Sequence, residues 1–420
     1  MEDLLPPDLF VRLSKEAGLW RAPDGRSCSF VNISKAVRRS ILDDHFAEAH
    51  VGALLTRLSR TSLLLQSASA GRLRILEHLL DERDDFEEDV RTVRDLEQNS
   101  MLHLAVENGQ IEAVRMLLSR GPVVGSGLRN QELQTPLHVA CAVERDDVVR
   151  LLISAGADPN ARDVRGRTPL YICCSGRPRT LRAMLGAADV DLPDADSWTP
   201  VHAAAWYGDR FSLRLLLEAG ASVDLKNDDG YTALHVVAPT PSFTPIFADL
   251  LDAGFGVNVR SHAGYTPLHI AAINGNVAHV KALLATKRAD LGARTNDGNT
   301  PLHLAAKDGR ADLVSLLLRD GSAAVDAKNN DGDAPLHLAA NHRILRELIG
   351  AGADANVQNN RNQTPLHLAV ARDDVAGAKT LLDAGARDDL RDCGLQKPID
   401  RTENPYVALV LREKKRHIKL

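Results

Sequence analysis

The feature that most constrains this chain is a tetrapeptide that returns at a nearly fixed interval. Thr135-Pro136-Leu137-His138 recurs as Thr199-Pro200-Val201-His202, Thr266-Pro267-Leu268-His269, Thr300-Pro301-Leu302-His303 and Thr364-Pro365-Leu366-His367. Looser copies begin at Ser100, Thr168, Thr232 and Ala334, so successive starts lie 30 to 35 residues apart. Degenerate units, Thr61-Ser62-Leu63-Leu64 and Lys397-Pro398-Ile399-Asp400, flank the series. A period of this length marks one supersecondary unit that buries its apolar face only against its neighbours. The 420 residues are therefore read as one long array rather than as two or three globular domains.

Each element of the unit has a physical reason. Thr suits a helix N-cap because its hydroxyl accepts from an orphan backbone N–H, and Pro suits the first helical position, where no donor is needed. Small residues such as Ala305-Ala306 and Ala339-Ala340 keep the first helix slim enough to stack closely. A second amphipathic helix follows, as in Leu313-Val314 with Leu316-Leu317. Gly121, Gly156, Gly220, Gly254, Gly321, Gly352 and Gly385 close it, where a left-handed C-terminal cap is wanted. A polar turn such as Asn296-Asp297-Gly298 leads into the next unit.

These residues resemble the ankyrin repeat, whose signature is Thr-Pro-Leu-His followed by two helices and a Gly-Ala-Asp-x-Asn turn. Ala157-Asp158-Pro159-Asn160 and Ala353-Asp354-Ala355-Asn356 carry the last part, and the resemblance covers about residues 59–400. It implies an all-α repeat solenoid of stacked helix-turn-helix units with projecting β-hairpin fingers. The fingers and first helices would line a concave groove. Residues 59–391 are assigned to the array, 1–58 to a helical N-terminal cap or recruitment segment, and 392–420 to a degenerate capping repeat with a basic tail.

Three units depart from the pattern. The one beginning Ala334 lacks three residues before Gly352; the one beginning Thr168 has Cys173-Cys174 in place of Ala-Ala and a shortened second helix. After Val236-Val237 the unit beginning Thr232 runs Ala238-Pro239-Thr240-Pro241-Ser242-Phe243-Thr244-Pro245, which predicts a proline-rich loop between its helices. The run Asp81 to Asp89 is an acidic insert, read as a solvated projection. In the N-terminal segment, Phe46, Ala49, Ala53, Leu54 and Leu58 share a helical face suited to covering the open end of the stack. Leu5-Pro6-Pro7-Asp8-Leu9-Phe10 faintly resembles the opening of an F-box, which would recruit ubiquitin-ligase machinery. The tail from Arg412 to Lys419 is basic, as a nuclear address is, and also as the C-terminus of any helix favours.

Chemistry is sparse. No Gly-Lys dipeptide, His-Glu-x-x-His helix or Gly-x-Ser-x-Gly elbow occurs, and no enzyme activity or cofactor is expected. Eight of the fifteen histidines, His103 to His367, sit at the motif position, one per repeat. The resemblance gives them a structural hydrogen-bonding role, and their spacing is too wide for a shared metal. The five cysteines are odd in number with no Cys-x-x-Cys, which points to free thiols and a cytoplasmic setting, with nuclear entry left open. A formal charge of −5 gives no global attraction to nucleic acid, and no apolar run is long enough to span a bilayer.

A protein partner is therefore expected. Hot spots concentrate in aromatic and Arg residues. In ankyrin proteins the variable groove positions precede the motif Thr and follow it by seven or eight residues. Those positions give Trp198, Trp206, Tyr207, Tyr231 and Tyr265, with Arg165 and Arg167 from the preceding unit. Ten of the sixteen aromatic residues lie between Tyr171 and Tyr265, so the middle of the array is the predicted groove centre. Asn258 resembles the finger asparagine that some ankyrin proteins have hydroxylated. The leading reading is a non-catalytic scaffold or adaptor. The alternatives are a substrate-recognition subunit of a ubiquitin ligase and a constitutive subunit of a larger assembly.

Overall fold

The computed structural model describes residues 60–81, 92–120, 128–319 and 323–417. The N-terminal cap, the acidic insert from 82 to 89, Gly121, Gly321 and the side chains of the basic tail beyond Arg412 lie outside the described residues. The chain divides into two compact units, one of Met1–Cys173 with Arg179–Asp189, the other of Cys174–Pro178 with Val190–Leu420.

In the first unit, antiparallel helix pairs follow one another at the predicted period. They are Arg60–Ala70 with Leu73–Asp81, Met101–Glu107 with Ile111–Ser119, and Pro136–Ala142 with Asp146–Ser154, followed by the short helix Pro169–Cys173. The second unit contains Pro200–Tyr207 with Arg210–Glu218, Ala233–Val237 with Thr244–Asp252, and Pro267–Ile273 with Val277–Ala285. It continues through Pro301–Lys307 with Ala311–Arg319, Pro335–Leu338 with His342–Gly350, and Pro365–Ala371 with Val375–Asp383. The degenerate last motif forms the 3₁₀ turn Pro398–Arg401 and the helix Pro405–His417, which buries Val407 and Leu411. The motif leucines Leu137, Leu234, Leu268, Leu302, Leu336 and Leu366 are all buried. Each contributes about 1.5–3 kcal/mol by leaving water.

The motif histidine ties one repeat to the next. In the repeat beginning Thr266, the His269 Nδ1 lies 3.1 Å from the Thr266 backbone N and 2.8 Å from its hydroxyl. Its Nε2 lies 3.1 Å from the carbonyl of Asn299, the residue just before the next motif. A carbonyl only accepts, so Nε2 carries the proton and Nδ1 is left to accept. The arrangement recurs at His103, His138, His202, His235, His303, His337 and His367, whose Nε2 atoms reach Gln134, Arg167, Tyr231, Tyr265, Asp333, Gln363 and Gln396; at His337 only the Ala334 N–H meets Nδ1. Burial pushes every one of these imidazoles below its ordinary range, to about 4 for His103, His235 and His269.

The projecting fingers are tight turns. The resemblance implied β-hairpins, but no strand forms among the described residues, which contain only the isolated bridges Arg94–Ser100 and Leu185–Ala188. The reason is length. In the finger before Thr232, the Asn227 N–H donates to the Tyr231 carbonyl at 2.9 Å, and the Gly230 N–H returns to the Asn227 carbonyl at 2.8 Å. That closes the loop before a ladder can grow. The Asn227 side chain accepts from the Asp229 and Tyr231 N–H groups at 3.1 and 2.8 Å, holding the turn from within. Successive fingers are stitched by a further backbone bond, as from the His262 N–H to the Asp229 carbonyl at 3.0 Å.

Gly264 is required at such a turn. Its φ is +81°, and an added Cβ would stand 2.7 Å from the Asn296 backbone nitrogen of the neighbouring finger. Gly254, which closes a second helix at φ +90°, has open space around the same position. Gly264→Ala is thus expected to cost about 2–3 kcal/mol, strain and clash together, and Gly254→Ala about 1 kcal/mol from strain alone. Urea denaturation of the two variants checks the order; equal losses would contradict it.

The departures appear where the sequence places them. The Ala334 repeat loses three residues from its first helix, which ends at Leu338, and Asn341 caps the next helix by accepting from the Ile344 N–H at 3.1 Å. The Thr168 repeat has a second helix of only seven residues, Pro178–Met184. In the Thr232 repeat the first helix stops at Val237, Pro241–Phe243 makes a 3₁₀ turn, and Pro245 sits at the start of Thr244–Asp252. Cys141, Cys173 and Cys174 are buried, while Cys393 is exposed.

Candidate functional site

The second unit places four of the predicted aromatics around one open cavity of about 500 Å³. Trp198, Tyr231 and Tyr265 come from three successive finger bases, and Trp206 from the last turn of the helix Pro200–Tyr207. Each finger-base ring leans on the histidine of its own repeat. Trp198 meets His202 at 5.8 Å between centroids, Tyr231 meets His235 at 5.5 Å, and Tyr265 meets His269 at 6.1 Å. The backbone of Tyr231 and Tyr265 is fixed as well, because their carbonyls are the acceptors for His202 and His235. The walls are thus preorganised: their rotamers need no ordering when something enters.

Trp206 differs. It stands edge-on to Trp198 at 5.7 Å and an interplanar angle of 89°, yet remains 62% exposed, far more than packing alone would leave a residue of that size. Its neighbour Tyr207 is also exposed but does not line the cavity, since one residue along a helix turns the side chain by about 100°.

Sequence reasoning missed several lining residues. Ile273 and Asn274 follow Thr266 by seven and eight residues, and Pro239 follows Thr232 by seven, so the rule that found Trp206 finds them too. Asp229 lines the rim from the middle of its finger, a position that the motif does not flag. Burial, together with the nearby Asp229 and Tyr265, raises the Tyr231 hydroxyl above its ordinary pKa, so it stays a neutral donor.

Arg165 and Arg167 belong to the first unit. Arg165 is exposed. Arg167 holds the buried Asp163 carboxylate with Nη2 at 2.8 Å and Nε at 2.9 Å, which commits its charge to its own finger. Asn258 uses both ends of its amide: Nδ2 donates to the Arg288 carbonyl at 2.7 Å and Oδ1 accepts from the Asp290 N–H at 2.9 Å. Asn160 and Asn356 accept in the same way from Asp189 and Arg387.

Among the described residues no group of three or more His, Cys, Asp or Glu side chains is arranged to hold a metal, and no helix is long and apolar enough to cross a membrane. The cavity is lined by ring faces and aliphatic side chains, with His235, Asn274 and a single carboxylate, Asp229.

Known proteins match the repeats in sequence. The family model for ankyrin repeats (three copies) matches residues 63–163, 122–194, 171–242, 234–329 and 321–392. The mouse B-cell lymphoma 3 protein homolog is 37% identical over 139 residues, 31% of this chain and 31% of that protein. The tyrosine-protein kinase HTK16 of Hydra vulgaris is 31% identical over 32% of this chain and 18% of its own length. The human transient receptor potential cation channel subfamily A member 1 is 29% identical over 42% of this chain and 16% of its own. Each match thus spans a third or less of the relative, and names as different as these attach to the repeats rather than to one pathway. The repeats imply protein–protein interaction, and the chain belongs to the ankyrin-repeat family.

Proposed function

We propose that the chain is a non-catalytic scaffold or adaptor that holds a segment of a partner protein in the groove of its middle repeats. The observation that carries this reading is the convergence of Trp198, Trp206, Tyr231 and Tyr265, from three successive repeats, on one cavity. Aromatic side chains held rigid around a cleft are the usual source of binding energy at protein interfaces. The 62% exposure of Trp206 keeps apolar surface in water that a partner would cover.

The test is affinity capture with mass spectrometry from source cells, followed by titration of the purified pair. Trp206→Ala combined with Tyr265→Ala is expected to remove the dominant partner and weaken the purified complex tenfold or more, about 1.4 kcal/mol at least. Tyr207→Ala, off the cavity face, should change binding much less. An identical partner set in the double variant, with circular dichroism unchanged, would place the interface elsewhere.

A further inference from the structure

The cavity has a chemical preference that the aromatic count alone does not express. Trp198 and Trp206 present two walls at right angles, and Tyr231 and Tyr265 continue them across the next two repeats. The one carboxylate among the lining residues is Asp229, at the rim; Asn274 adds a neutral amide, and no Lys or Arg is among them. His235, which also lines the cavity, has both ring nitrogens engaged, by Thr232 and by the Tyr265 carbonyl. It carries no charge to balance the carboxylate, since burial holds it neutral.

The surroundings add negative charge. The two fingers nearest the tryptophans carry Asp194 and Asp196, then Asp228 and Asp229, with no basic residue inside either turn. Asp194 spends its side chain on the Asp196 and Trp198 N–H groups. Asp196, Asp228 and Asp229 are exposed, and no ion pair to them forms among the described residues. The adjacent Lys226 is directed at the Arg260 carbonyl, 2.9 Å away.

An aromatic ring offers a negative face, and a cation set against several such faces beside a carboxylate gains from both. A purely apolar occupant would be content with the rings but would strip water from Asp229 without a counter-charge. An anion would be repelled. From this geometry we propose that the cavity is a receptor for one Lys or Arg side chain of a basic partner segment. The charge lies over the Trp198 and Trp206 rings and against Asp229, and the flanking residues run along the acidic fingers. The inference rests on the groove reading for the identity of its partner, and goes beyond it in naming what enters.

The three tryptophans of the chain, Trp20, Trp198 and Trp206, give three indole N–H signals in a nitrogen-15 spectrum of the full-length protein, assigned by Trp206→Phe and Trp20→Phe. The probes are N-acetyl-arginine methylamide and N-acetyl-lysine methylamide, with N-acetyl-norleucine methylamide as the uncharged isostere. Both cationic amides should shift the Trp198 and Trp206 signals saturably, at concentrations below about 50 mM. Norleucine should not, over the same range. Asp229→Asn, an exposed change in a finger, should weaken the cationic amides about fivefold, as should raised salt. An equal response to norleucine, no response to either cation, or an unchanged response in Asp229→Asn each overturns the assignment. Loss of the partner in the Trp206 and Tyr265 double variant without any response to the amides would sink the cation and leave the groove standing. The reverse pairing would support the cation site while removing the protein groove.

Discussion

Between pH 6.5 and pH 4 the array is expected to lose most of its resistance to urea. The motif histidines are buried neutral, and those of His103, His235 and His269 are held at about 4. In the unfolded chain they return to about 6.5. Within that window the unfolded state binds protons that the folded state refuses, so stability falls as pH falls, and the loss is complete below the folded value. A displacement of that size corresponds to about 3 kcal/mol for each of the three. Together they approach the whole stability of an ordinary domain, about 5–15 kcal/mol. Asp249, held at about 2 chiefly by Arg210 and also by Arg214, loses its contribution mainly below pH 4, as the unfolded carboxylate takes up its proton, and adds little to the slope above pH 4.5. Urea midpoints at pH 7, 6, 5 and 4.5 check the slope. His269→Gln, which cannot take up the proton, should flatten it by one histidine's share, whatever its own cost at pH 7. A midpoint constant from pH 7 to 4.5 would contradict the account.

The second large effect is expected from His269→Ala. The imidazole accepts from the Thr266 N–H, meets its hydroxyl and donates to the Asn299 carbonyl, all in a fully buried setting. Truncation leaves those groups without a partner and a void where the ring stood, about 3–5 kcal/mol in sum. In a repeat protein such a lesion breaks the nearest-neighbour coupling at one place. A mid-array loss should therefore split the urea transition into two steps, while His103→Ala, near one end, should fray that end and leave the main transition in place. A single sharp transition for His269→Ala, merely shifted, would show that the repeats couple beyond their neighbours.

Much of the fold was legible because its instructions are local. Thr-Pro at a helix start, Gly at a helix end and three prolines within seven residues act locally, and helix boundaries follow them even where a repeat is damaged. The three-residue loss in the Ala334 repeat and the Pro241–Phe243 turn are examples. The finger was less legible, since whether a short turn extends into strands depends on pairing with neighbours, which the motif does not encode. At the site, the positions around each Thr identified Trp198, Trp206, Tyr231 and Tyr265, because repeat register converts sequence offset into place in space. Tyr207 shares the offset rule with Trp206 but not its direction, a matter of helical angle. Asp229 carries no sequence mark of its own, and only the folding back of its finger brings it to the rim beside Tyr231 and Tyr265.

The histidine tie has a consequence for how such a chain changes over time. What each imidazole grips is a main-chain carbonyl, and the residues that own those carbonyls are Gln134, Arg167, Tyr231, Tyr265, Asn299, Asp333, Gln363 and Gln396. Their side chains range from acid to base to aromatic, and the bond is the same under all of them. Replacing one alters the side chain presented while its main-chain bond persists, except where the side chain is itself structural, as Arg167 is in holding Asp163. Selection for a new partner and selection for a durable fold thus act on different atoms of the same residue.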